Sequence, residues 1–372
     1  MHKILFLNLT AFSQNGGIEK FNRCFLKALA DIQDNDEVVS SAISMYDDKV
    51  DEKYYNNQYY KGFKGSKLAM ILQSIWSARS SNTIVIGHIN LSVIGVAIKM
   101  LYPKKKVVLV THGIEVWEPL KGPKALMLKK ADRILTVSNF TKQKICSIQN
   151  IGEEKLVVFP NTIDPFFAIP AQFYDSTHLR EQYGIGADDP VLFTLARVSS
   201  TERYKGYDVV LECLPDMLPK FPNLKYVIGG KYDKVEKARI DKLIDDLKLE
   251  GVVKLTGFIK DEDLVAHYQM ADMFIMPSRK EGFGIVFIEA MVCGLPVIAG
   301  NVDGSVDALK NGELGTLVNP LDKNEITQQL CYFMENRNLI TDDYKYGLQQ
   351  KTLGYFSFEA FTGRVKQVFE FN

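Results

Sequence analysis

The chain has 372 residues, 46% of them apolar and 24% charged, which is the balance of a soluble globular protein long enough for two domains. Five scattered cysteines with no CxxC pair and no Cys/His cluster argue against a disulfide framework and a structural zinc site, and no nucleic-acid-binding motif accompanies the charge. Net charge is zero, yet residues 31–52 hold eight acidic residues against one lysine, while residues 55–150 hold fifteen Lys/Arg against three acidic residues.

Short β-rich runs alternate with helical patterns from end to end, the signature of parallel sheets with helices on both faces. The first strand is expected at 3–9, KILFLNL, an apolar run too short and without the cleavage site of a signal peptide. Gly16 and Gly17 follow it, just before a helix over 18–30 in which Ile18, Phe21, Phe25 and Leu29 share a face. Their amides can approach an anion at the helix N-terminus, although no GxGxxG follows and a plain turn fits as well. Further strands are read at 83–88, 106–113, 133–138 and 155–161. His112, beside Gly113, ends one of them and Asn161 ends another; each is either a ligand contact or a structural residue.

Residues 160–190 are rich in proline and turn residues and lack a clear period, as a linker should, which puts the boundary between Pro165 and Asp189. The domains are therefore expected at 1–165 and 166–355. An amphipathic helix at 356–372 is free to pack back on either.

The second half starts afresh with strands at 191–198, 224–230, 252–258, 273–278, 296–300 and 315–320. Arg197 ends the first of these, and Lys205 follows in ARVSSTERYKGYD before a helix. A guanidinium and an ammonium on one strand-to-helix loop can cradle a diphosphate, with Arg203 as a competitor. Gly257 and Phe258 end another strand, where backbone groups could read a nucleobase edge, unless Phe258 is simply buried. Asp261, Glu262 and Asp263 fit a helix N-terminus better than a metal site.

Next comes RKEGFGIVFIEAMVCGLPVI, from Arg279 to Ile298, with Glu281 in a strand-end loop and Glu289 on the following helix, which Gly294 and Pro296 close. One reading has Glu281 favouring the helix dipole and Glu289 solvated. The other has two carboxylates that accept from vicinal hydroxyls, one on a sugar and one on a ribose, with the amides at Gly282, Phe283, Gly284 and Ile285 taking phosphates. Open parallel sheets bind ligands beyond the carboxyl ends of their strands, so two such domains make the cleft between them the expected site.

The ordered set NGG (15–17), THG (111–113), PNTID (160–164), ARV…YKGYD (196–208), ADMFIMPSRKEGFGIVFIEA (271–290) and CGLPVIAG (293–300) resembles the retaining glycosyltransferases of the GT4 family, which have the GT-B fold of two Rossmann-like doubly wound domains. The match covers nearly the whole chain, and its most specific part is the E-x7-E motif with its EGFG turn. The resemblance implies that Glu281 lies by the transferred sugar, Glu289 holds the donor ribose, Arg197 and Lys205 form the phosphate site, Gly16 and Gly17 are the glycine loop, and His112 is the active-site histidine. It implies a metal-independent enzyme without a cofactor, and a terminal helix at 356–372 that returns to the first domain. The stretch NVDGSVDALKNGELG (301–315) departs from the family pattern at Asp303 and Asp307, so sugar contacts there are unassigned.

The expected activity is transfer of a hexosyl unit from a nucleotide-diphospho-sugar, with UDP or GDP, to a glycan or polyprenyl-diphosphate-linked acceptor in cell-surface polysaccharide biosynthesis. Retention would follow from attack on the face the diphosphate leaves, because no glycosidase-like nucleophile is present. A sugar-nucleotide 2-epimerase and a catalytically silent GT-B subunit are the alternatives. No apolar run approaches the roughly 18 residues of a membrane span, so a cytoplasmic location is expected. The basic stretch 55–150 is either an ordinary solvated surface or a face for a phosphate-bearing acceptor or for peripheral contact with anionic membrane, and no nucleic-acid partner is expected.

Overall fold

The computed structural model describes residues 2–34, 38–174 and 176–369. In chain order the elements are β1 His2–Asn8, α1 Gly17–Asp34, β2 Val38–Ser44, β3 Tyr60–Gly62, α2 Lys67–Ala78, β4 Thr83–Ile86, α3 Ser92–Leu101, β5 Lys106–Thr111, α4 Gly122–Lys130, β6 Arg133–Thr136, α5 Asn139–Gln149 and β7 Leu156–Val158. They continue with α6 Thr177–Gln182, β8 Val191–Leu195, α7 Tyr207–Met217, β9 Lys225–Gly229, α8 Lys234–Asp246, β10 Val253–Gly257, α9 Leu264–Gln269, β11 Met273–Met276, α10 Ile285–Val292, β12 Val297–Gly300, α11 Ser305–Ala308, β13 Thr316–Val318, α12 Lys323–Glu335, α13 Asp342–Phe356 and α14 Phe358–Phe369. The chain divides into two compact units, one of residues up to Pro165 and from Phe356 onward, the other from Phe166 to Tyr355.

In the first unit seven strands form a parallel sheet in the order β3-β2-β1-β4-β5-β6-β7. Strand centres such as Leu5-Phe6-Leu7 are fully buried on both faces, as a sheet covered on each side requires. One layer comes from α2, α3, α4 and α5 through Met70, Ile94, Met127 and Ile145. The opposite layer comes from α1 and α14, where Phe21 and Phe25 meet Phe361 and Val365. The 356–372 segment thus supplies core to the first unit through α14, and its last three residues lie outside the described ones.

The second unit repeats the plan with six parallel strands in the order β10-β9-β8-β11-β12-β13. Both orders reverse direction at one point, between β1 and β4 in the first sheet and between β8 and β11 in the second. The loops leaving those strands are where a doubly wound sheet presents its ligand crevice. The stretch read as a structureless linker contains α6, and it is anchored: buried Arg180 donates to the carbonyls of Met270, Gly186, Ala187 and Asp189. All five cysteines are free thiols. No helix among the described residues is long and apolar enough to cross a membrane.

Candidate active site

At the switch point of the second sheet, the β8–α7 loop brings Arg197 and Lys205 to the same sheet edge as the β11–α10 loop that carries Glu281. The two loops are joined by backbone, since the Arg279 amide donates to the Tyr204 carbonyl at 2.9 Å. Gly206 makes the approach possible: its φ is +81°, and a Cβ there would lie 2.4 Å from the Pro277 carbonyl oxygen. Lys205 Nζ donates to Glu281 Oε2, both side chains being only 15% and 17% exposed. Burial alone would lower the lysine pKa, but the Glu281 charge and hydrogen bond outweigh it and raise the pKa, so Lys205 is an ammonium at neutral pH.

The other arginines separate by partner. Arg197 is exposed and held by Glu202 at 2.9 Å. Arg203, its competitor for an anion, donates to Glu236, whose carboxylate is fully buried and also accepts from Tyr207 and Arg239. Arg203 is therefore committed to holding this loop against α8. Asp233, the N-cap of α8, reinforces the tie by accepting from the Ser200 amide at 2.8 Å.

Glu289 is not a solvated helix residue: it is completely buried and accepts from Tyr268 Oη at 3.0 Å. Burial pushes the Tyr268 hydroxyl well above its ordinary value, and the Glu289 charge adds to that. Gly284 has φ +88° and starts α10, whose first amides have no intrahelical acceptor. Gly282 lies on the same turn, which Phe283 anchors by its complete burial.

Asp303, left unassigned by the sequence, sits beneath that turn. Fully buried, it accepts from Ser278 Oγ and the Glu281 amide at 2.7 Å each and from the Ser305 amide at 2.9 Å. The Gly304 amide returns a 2.7 Å bond to the Glu281 carbonyl. Gly257 ends β10, two strands removed from β8, and Phe258 is 57% exposed, not buried. Phe258 lines a cavity of about 770 Å³ with Tyr183 and His267. His267 accepts from Tyr183 at 2.8 Å through Nε2, because its Nδ1 donates to the Asp263 carbonyl at 2.7 Å. Asp261, Glu262 and Asp263 form the single turn leading into α9, and no group of three His, Cys, Asp or Glu among the described residues is placed to hold a metal.

The first unit gathers a second set of residues at its own switch point. His112, at the end of β5, contacts the Gly87 carbonyl through Nε2 at 2.8 Å; a carbonyl only accepts, so Nε2 donates and Nδ1 is the ring nitrogen left for another partner. His88, which sequence reasoning passed over, stacks 5.9 Å from it. Burial and the neighbouring positive charge push the His88 pKa down to about 3, so it stays neutral. Gly16 and Gly17 start α1, and the preceding loop is pinned by buried Asp47, which accepts from the amides of Ala11, Phe12 and Ser13 and from Thr10, Ser44 and Tyr60. Burial alone would raise the Asp47 pKa, yet these hydrogen bonds hold it below the usual carboxylate value. Asn161 is buried, and its Oδ1 has no hydrogen-bond partner among the described residues.

This arrangement matches known sequences over most of its length. Residues 175–350 match Glycosyl transferases group 1, and residues 16–166 match Glycosyltransferase Family 4. The chain belongs to the GT4 glycosyltransferases. The GDP-mannose-dependent alpha-(1-6)-phosphatidylinositol monomannoside mannosyltransferase of Mycolicibacterium smegmatis is 32% identical over 60% of this chain and 59% of its own length. The alpha-monoglucosyldiacylglycerol synthase of Acholeplasma laidlawii is 26% identical over 53% of this chain and 48% of its own. The chain thus spans less than two thirds of either relative.

Among solved structures, Anabaena HepE with UDP-glucose superposes on this glycosyltransferase with a TM-score of 0.80 at 19% identity, covering 100% of both chains. That likeness establishes the GT-B fold expected from the sequence. Asp47 and His88 are buried polar residues at these loops that the motif reading did not name, and Asp303 is one it named without a role. Each contacts residues more than twenty positions away in the chain, so no local spacing marks it.

Proposed function

We propose that this GT4 glycosyltransferase moves a hexosyl unit from a nucleotide-diphosphate sugar to a hydroxyl of a glycan or polyprenyl-diphosphate-linked acceptor, with retained configuration and without a metal ion, in building a cell-surface polysaccharide. The observation that carries the reading is the Lys205–Glu281 pair at the switch point of the second sheet. An ammonium has three protons, and Glu281 takes one, which leaves two for diphosphate oxygens. Arg197 on the same loop supplies a fork for bidentate contact. Amides at Gly282, Phe283, Gly284 and Ile285 add donors and the positive end of α10.

Charge develops on the departing diphosphate as the sugar–phosphate bond breaks, and these fixed donors stabilise it without reorganisation. Glu281, paired with the Lys205 ammonium, orients the sugar hydroxyls, and Glu289, on the second turn of α10 and buried against Tyr268, is assigned to the ribose. Gly257 and Phe258 are assigned to the nucleobase. In the first unit, the open Nδ1 of His112 suits a sugar hydroxyl, Gly16 and Gly17 suit an anion, and the unpaired Oδ1 of Asn161 suits a hydroxyl donor. The GDP-mannose-dependent transferase on a phosphatidylinositol monomannoside supports GDP as carrier, the HepE complex with UDP-glucose supports UDP, and that mannosyltransferase and the alpha-monoglucosyldiacylglycerol synthase support an acceptor bound to lipid.

The test is a thermal-shift screen against UDP, GDP, ADP, CMP and their sugars in chelator, on wild type, Lys205→Ala and Glu289→Gln, because a ligand that binds only the folded state must stabilise it. One nucleotide family should raise the wild-type Tm, and the shift should shrink in both variants. No shift at millimolar nucleotide would sink the proposal. With the donor known, the anomeric configuration of the product, read by NMR, decides retention, and donor conversion without acceptor would replace transfer by epimerisation.

A further inference from the structure

Helix α2 is apolar on two sides, unlike an ordinary surface helix. Its inward side packs Met70, Ile71, Ile75 and Ala78 on the core, while Leu68, Leu72 and Trp76, spaced four residues apart along one outward stripe, are 70%, 61% and 71% exposed. Helix α3 packs beside it in the same layer and repeats the pattern, with Val93, Met100 and Leu101 all more than half exposed. Single exposed leucines need no explanation, but two adjacent stripes including a tryptophan do.

The charge around them is one-sided. From Lys53 to Ile114 the chain has nine basic residues and no acidic one. Lys67 begins α2 and Arg79 follows it, and the Lys105 ammonium donates to the Arg79 carbonyl at 3.0 Å, which seats the 104–106 turn at the end of the helix. Lys67, Arg79 and Lys104 have no acidic partner among the described residues. A second copy of the chain meeting this face about a two-fold axis would set lysine against lysine. An anionic bilayer offers the opposite charge and an apolar interior together.

We propose that the outer faces of α2 and α3 form a docking surface for an anionic lipid bilayer, in which Leu68, Leu72, Trp76, Met100 and Leu101 enter the interface while Lys67, Arg79 and Lys104 meet the headgroups. A helix lying in the interface plane gains from buried apolar area and from attraction to acidic lipid, and tryptophan suits the headgroup boundary. The surface concerns where the enzyme works, and it does not depend on the donor assignment. Vesicle binding is measured without nucleotide, and the donor thermal shift should keep its wild-type size in every variant below.

The experiment is sedimentation with vesicles of phosphatidylcholine alone or mixed with phosphatidylglycerol, at low and high salt, alongside tryptophan emission. The chain has two tryptophans, and Trp117 is buried, so a blue shift on vesicle addition reports Trp76. Wild type should bind the mixed vesicles, shift to the blue, and release in high salt. Leu72→Ser with Trp76→Ser should abolish binding, and Lys67→Gln with Lys104→Gln should lower partitioning by about tenfold or more. Absence of binding to mixed vesicles, or binding that survives loss of the stripe, overturns the proposal. A concentration-dependent dimer that disappears in Leu72→Ser/Trp76→Ser would overturn it too, and would give the stripe to a second copy.

Discussion

Asp303 shows how a buried carboxylate can set the position of a catalytic candidate it never touches through its side chain. Burial lifts its pKa from 3.8 to about 6, against the hydrogen bonds from Ser305, Ser278 and Glu281 that favour the charged form. A carboxyl raised in the folded state stabilises folding while protonated. Its contribution is therefore complete below about pH 4 and is lost as pH rises through about 6, a change of about 3 kcal/mol. The amide introduced by Asp303→Asn cannot titrate, so the stability of wild type relative to this variant should improve as pH falls from 7.5 to 4.5. Urea unfolding at a series of pH values measures it, and a flat difference would show that the carboxyl does not carry this shift. The same substitution places an amide NH2 either against the Ser305 amide or against both the Ser278 hydroxyl and the Glu281 amide, since the last two share one carboxylate oxygen. Either clash disturbs the seat of the Glu281 loop, and kcat/KM should fall by about tenfold to a hundredfold, since small misplacements near the reacting centre cost that much. Glu281 and Lys205 stood out in the sequence because each lies in a short local motif of its own. Asp303 did not, because its partners Ser278 and Glu281 lie more than twenty residues earlier on another loop.

Among the elements, strands whose apolar runs are unbroken, such as ILFL in β1, VVLV in β5 and MFIM in β11, were readable because a parallel sheet buries both faces. β2 escaped notice because VVSSAIS carries three serines. In the fold Ser40 bonds Gln33 and Tyr55, and Ser44 bonds the Leu9 carbonyl and Asp47, so polar residues occupy a buried strand without penalty. β3 has three residues, too few for any period. The loops at strand ends depend on backbone approach more than on side chains, and Gly206 is where this can be measured. Alanine there must adopt φ +81° and also displace the Pro277 carbonyl 2.4 Å from its Cβ. A carbonyl at the end of a buried strand cannot swing aside as a side chain does. Gly206→Ala should therefore cost about 3 kcal/mol and separate the two loops, lowering Tm and weakening the nucleotide shift together. An unchanged Tm would mean that the loops move apart freely.

For the molecule as a whole, the consequential fact is that the first unit is discontinuous in sequence. Its core is complete only when α14 arrives from the end of the chain. There Phe361 meets Phe21 at 5.8 Å and Phe159 at 4.9 Å, and the Arg133 guanidinium donates to the Val368 carbonyl at 2.9 Å. Closing a loop of that length is slow but costs little extra free energy once made, because closure entropy grows only with the logarithm of length. The stability of the unit then rests on the quality of this aromatic contact. Phe361 is fully buried, so Phe361→Ala leaves a cavity between α1 and α14 and should cost about 3–5 kcal/mol. Phe361→Leu fills most of that space and should cost about 1.5 kcal/mol or less. Amide hydrogen exchange reads the difference locally: protection should fall at α1 and β1, which share the Phe21–Phe25 cluster with α14. If Phe361→Ala left those amides as protected as in wild type, α14 would be an appendage to the first unit and not part of its core.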